Sequence, residues 1–121
     1  MVFNRSSHLQ GDDMASRIET KDYLMRQLSA LPGAYARKMF GEYAIYYQDK
    51  VIGMLCDDQL FVKNTVAGRE YLQDPQMSAP YPGAKEQFLI PEDDWEDAGW
   101  LIKLFILSEP EIKAPKMKKK R

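Results

Sequence analysis

Side chains capable of acid–base or nucleophilic chemistry are scarce in this sequence. His8 is the single histidine and Cys56 the single cysteine in 121 residues. His8 falls in a stretch, residues 1–13, without apolar periodicity, so no folded site holds it as a general base or zinc ligand. Cys56 follows Met54 and Leu55 in a strand-forming run, the setting of a buried, inert thiol. A reactive cysteine needs access, a lowered thiolate pKa and a histidine partner, and none is placed to serve.

The carboxylates cluster in two places. Asp57-Asp58 stands between two apolar runs, where Asp is a good turn former. Glu92-Asp93-Asp94 and Glu96-Asp97 precede an apolar helix, where negative charge suits the helix N-terminus. Neither has the alternating spacing of a calcium loop, and no glycine-rich phosphate loop is present. The expectation is a chain that is not an enzyme, with no metal and no cofactor; an enzyme with an unrecognised site is the remote alternative.

Composition sets the class. The chain has 45% hydrophobic and 29% charged residues, the balance of one globular domain. No apolar run approaches the roughly 20 residues needed to span a bilayer, and no signal-peptide core opens the chain. A lone cysteine suits a reducing compartment, so the cytoplasm is expected. Charge is unevenly spread. Residues 110–121 hold Lys113, Lys116, Lys118, Lys119, Lys120 and Arg121 against Glu111, which is +5, leaving −6 for the remainder within the formal net of −1.

Residues 1–13 form a disordered leader, 14–109 the domain and 110–121 a disordered basic tail. Ser16-Arg17-Ile18-Glu19 has capping-box spacing and opens a first helix carrying Leu24, Leu28 and Leu31, which Pro32-Gly33 ends. Residues 37–40, 43–47, 51–56 and 60–63 read as strands joined by short turns, hence antiparallel hairpins. Asn64 or Thr65 caps a second helix to about Gln73. Residues 87–90 form a further strand, and a last helix runs from about Trp95 to Ser108. The fold class is α+β, with an antiparallel sheet of about five strands.

Three features offer binding surfaces. In Arg37-Lys38-Met39-Phe40-Gly41, alternation puts Arg37 and Lys38 on opposite strand faces. Phe40 is either a core anchor beside a Gly41 bulge, with the basic groups paired to Asp57 or Asp58, or part of a recognition patch with Arg37, Lys38 and Tyr43. The loop through Tyr81, Pro82, Gly83, Ala84 and Lys85 is either a ligand clamp or a stiff connector. The last helix has apolar residues on more than one face, which points to a homodimer through it or through a sheet edge. Lys116, Lys118, Lys119, Lys120 and Arg121 offer weak, salt-dependent contact with nucleic acid.

From Met14 onward the chain resembles the TfoX N-terminal domain family. Ala36-Arg37-Lys38-Met39-Phe40-Gly41-Glu42-Tyr43 carries the resemblance. So do Gly53-Met54-Leu55-Cys56-Asp57-Asp58 with Leu60-Phe61-Val62-Lys63, Ala67-Gly68-Arg69, and Ala79-Pro80-Tyr81-Pro82-Gly83-Ala84-Lys85. The resemblance implies a two-layer sandwich, helices on one side of an antiparallel sheet, similar to secretion-chaperone-like proteins. It also implies a regulatory role, since TfoX proteins regulate natural competence together with a transcription activator. Those proteins carry a second, helical domain with no counterpart here. The expected function is a non-catalytic regulatory or protein-interaction module; a nucleic-acid-binding accessory using the tail is the alternative.

Overall fold

The computed structural model describes residues 16–114. Three α-helices, α1 (Ile18–Gln27), α2 (Val66–Leu72) and α3 (Ala98–Ser108), accompany six strands: β1 (Tyr35–Met39), β2 (Glu42–Tyr47), β3 (Lys50–Cys56), β4 (Gln59–Val62), β5 (Gln76–Ser78) and β6 (Gln87–Ile90). The sheet is antiparallel throughout, in the order β1-β2-β3-β4-β6-β5. The α+β expectation holds, with six strands where about five are expected. The extra one, β5, is a three-residue edge strand too short to show periodicity.

Three hairpins build the first four strands. Their two-residue loops are Phe40-Gly41, Gln48-Asp49 and Asp57-Asp58, and all six residues have positive φ. That is the type I′ geometry, whose twist matches that of paired strands. Gly41 is therefore a turn residue and not a bulge. The bulge lies in the β2–β3 pairing, between Ile45 and Tyr46.

One sheet face carries the core. Tyr43, Leu55, Leu60 and Ile90 stand in register across four strands, with Ile45, Gly53, Val62 and Phe88 in the next row. Leu24 of α1, Leu28 at its C-cap and Leu101, Leu104 and Phe105 of α3 pack on them, with Trp95, all buried. Gly53 has no room for a side chain, because a Cβ there would lie 2.5 Å from the Phe61 carbonyl oxygen. The opposite face carries Ala44, Met54, Phe61 and Leu89 in one cross-strand row.

Helix α3 starts later than its sequence suggests. Glu92–Glu96 form a 3-10 turn in which Trp95 is buried, its indole N–H donating to the Ile90 carbonyl at 3.0 Å. Asp97 then caps α3 by accepting from the Trp100 N–H at 3.1 Å. Much of the apolar excess on α3 is absorbed within the chain. Trp100 stacks on Tyr71, and Ile102 packs against the core, while Ile106 stays exposed.

The folded unit runs past residue 109. Glu111 accepts from the Val66 and Ala67 N–H groups, both at 2.8 Å, and Ile112 is buried in the core. Pro110 to Ile112 thus belong to the domain and not to the tail. The leader, 1–13, and the basic residues Lys116, Lys118, Lys119, Lys120 and Arg121 lie outside the described residues.

Candidate functional site

The β1–β2 hairpin ends in a side chain that packs against none of the described residues. Phe40 is fully exposed, at a φ of 52°. In a type I′ turn this position suits Asn, Asp or Gly, since a side chain at positive φ crowds the backbone. The core-anchor reading of Phe40 is therefore wrong: Met39 and Glu42 close the hairpin register, so Phe40 is the turn and cannot reach the core.

Beside it, Arg37 and Lys38 are exposed on β1, which is an edge strand. Lys38 pairs with Tyr43 and shares the helix-side face; Arg37 pairs with Ala44 on the other. Neither forms an ion pair among the described residues, and Asp58 takes Arg17 instead at 3.1 Å. Tyr43, the fourth member of the expected patch, is 5% exposed and belongs to the core. Its aromatic side faces α1, where the Lys21 ammonium lies 5.8 Å from the ring centre. The far end of β1 is fixed by Tyr35, which stacks on Tyr46 at 4.7 Å and donates to Asp49 Oδ1 at 3.3 Å.

Tyr81 and Lys85 are exposed but lie elsewhere. Their loop joins β5 to β6, at the opposite edge from β1 and about five strand spacings, roughly 24 Å, away. It also lies at the other end of the strands, since the hairpin tip is near the Tyr43–Leu55–Leu60–Ile90 row and the loop follows Ser78, opposite Gln87. The loop is a type II turn: Pro82 precedes Gly83 at φ 88°, and the Ala84 N–H donates to the Tyr81 carbonyl at 3.1 Å. The structure thus brings Arg37, Lys38 and Phe40 together and leaves Tyr81 and Lys85 apart from them.

Several residues of the recognisable blocks hold the fold. Glu42 accepts from the Ser16 N–H at 3.0 Å, the Ser16 hydroxyl at 2.7 Å and the Asp57 N–H at 3.2 Å. Asp58 Oδ1 accepts from the Arg17 N–H at 2.8 Å. The expected capping box is absent: Arg17 is the N-cap of α1 without a side-chain cap, and Ser16 is drawn off to Glu42. Gly68 fits beneath Phe88, whose Cε2 would lie 2.7 Å from an added Cβ. Thr65 caps α2 through the Gly68 N–H at 2.9 Å.

Chemistry elsewhere is muted. Burial pushes the Cys56 thiol up to about 11, with Glu42 and Asp57 adding to the shift. Burial lowers the pKa of Lys63 on the second sheet face. Asp93, Asp94, Glu96, Asp97, Ala98 and Trp100 line a shallow, open groove of about 620 Å³. What sequence alone misses is the edge itself. Ala36 carries no chemical signal, yet its backbone faces the open side of β1.

A model of the TfoX N-terminal domain matches residues 26–111. An uncharacterized 12.7 kDa protein in the trpE 5′ region of Spirochaeta aurantia is 42% identical over 82 residues, covering 68% of this chain and 70% of that protein.

Proposed function

The chain belongs to the TfoX N-terminal domain family, and from that membership we propose that it is a non-catalytic module that recognises another protein in a regulatory role. The observation that carries this reading is Phe40: a fully exposed aromatic ring at a strained turn position, flanked by Arg37 and Lys38 without ion pairs among the described residues. Neither the strain nor the exposure helps the domain fold. Phenylalanine and arginine are among the residue types enriched at protein–protein interfaces. A cytoplasmic location, with regulation as the output, goes with this proposal.

The experiment is photo-cross-linking in cells, with benzoylphenylalanine at position 40 and, as control, at position 48 in the neighbouring turn. A discrete adduct from position 40 and none from position 48 is the expected result. No adduct from position 40 under any growth condition would remove the basis of the proposal.

A further inference from the structure

Resting on the interaction-module reading, we infer that the edge of β1, unpaired among the described residues, docks an extended acidic segment of the partner protein, added as a seventh strand with an apolar residue against Phe40. The two sheet edges differ. β5 has three residues and lies between Pro75 and Pro80, whereas β1 has five, with no proline and an unbroken register with β2. Shortness and proline are the usual means of blunting an edge. β5 has both; β1 has neither.

The open groups on β1 follow from hairpin geometry. In a two-residue hairpin the residues flanking the loop, here Met39 and Glu42, exchange hydrogen bonds, and bonded pairs alternate along the ladder. Met39, Arg37 and Tyr35 therefore turn their backbone groups toward β2. Ala36 and Lys38 turn theirs outward, to the open side.

Charge selects the occupant. Arg37 and Lys38 point to opposite faces of the strand, so they would flank an incoming strand above and below. A second copy paired antiparallel about the middle of β1 would set Arg37 against Arg37, a destabilising like-charge pair. An acidic strand meets a carboxylate-seeking group on each face. Main-chain bonds to Ala36 and Lys38 supply affinity, and the side-chain contacts supply selectivity.

The test uses the full chain and a labelled short peptide alternating Val and Glu, read by fluorescence anisotropy, beside the same peptide with Lys for Glu. The acidic peptide is expected to bind saturably and about tenfold or more tighter than the basic one. Ala36→Pro removes one outward N–H without touching the β1–β2 bonds, and about a fivefold loss is expected. The double variant Arg37→Glu, Lys38→Glu serves as a check free of backbone effects, with about a tenfold loss expected. Equal binding of both peptides, or acidic binding unmoved by these variants, would overturn the inference. So would a dimer, seen by light scattering, that Ala36→Pro dissolves, or tighter binding of a single-stranded oligonucleotide at the same residues. Persistent cross-linking from position 40 without peptide discrimination would refute only strand addition; loss of the cross-link as well would refute the interaction module.

Discussion

The Ser16 hydroxyl donates to Glu42 Oε1 at 2.7 Å, tying the start of α1 to the tip of the first hairpin across 26 residues of sequence. The same carboxylate receives the Asp57 N–H from the third hairpin turn. One side chain thus joins the helix layer to two turns of the sheet.

Removing that junction should cost stability out of proportion to its position near the surface. Glu42→Ala takes this acceptor from the Ser16 and Asp57 N–H groups and leaves the Ser16 hydroxyl only the Leu55 carbonyl at 3.2 Å, a cost of about 1–3 kcal/mol. Urea unfolding of this variant beside an exposed control such as Glu70→Ala checks it. Equal midpoints for the two would show that the junction contributes nothing.

Gly53→Ala should destabilise strongly although alanine is small. Its Cβ would meet the Phe61 carbonyl at 2.5 Å, and that atom is fixed by the β3–β4 ladder. A loss of about 1–3 kcal/mol is expected from overpacking, read from the same denaturation curves.

Cys56 should behave as an inert thiol. Its folded pKa of about 11 lies above the ordinary value of 9.0, with burial the main cause. Its contribution to stability is therefore fully present below about pH 9 and is lost as pH rises through about 11. Cys56→Ala should flatten the fall in stability over that window. Native protein at pH 8 should react slowly with a thiol reagent and rapidly once unfolded.

The periodic elements could be read from sequence because local and tertiary preferences agree there. Leu24 marks α1, although the helix ends at Gln27, before the expected Pro32-Gly33 stop, with Leu28 as its C-cap and Leu31 in the turn beyond; Thr65 caps α2 through the Gly68 N–H. Reading failed where a distant partner decides. Ser16 has the spacing to cap its own helix, but Glu42 takes its hydroxyl. Phe40 looks like a core anchor by residue type, and only the two-residue register of the hairpin puts it in water. Of the candidate surface, sequence leaves Arg37 and Lys38 either paired to Asp57 or Asp58 or open to a partner, and only the structure shows them exposed. The separation of Tyr81 and Lys85 from them depends on strand order, which no local pattern encodes.

Phe40 holds a backbone conformation that suits asparagine better than phenylalanine. Asn tolerates positive φ and leaves no aromatic ring in water. Phe40→Asn should therefore stabilise the domain by about 1 kcal/mol, a rise of roughly 4–8 °C in Tm for a domain of this size, while weakening binding. A gain in stability with a loss of function is the mark of a residue kept for contact.

The most direct measurement is a paired one on Phe40→Asn: thermal unfolding, and anisotropy with the acidic Val-Glu peptide. A higher Tm together with about a tenfold loss of peptide affinity is expected. A lower Tm with affinity unchanged would show that Phe40 supports the fold and plays no part in recognition.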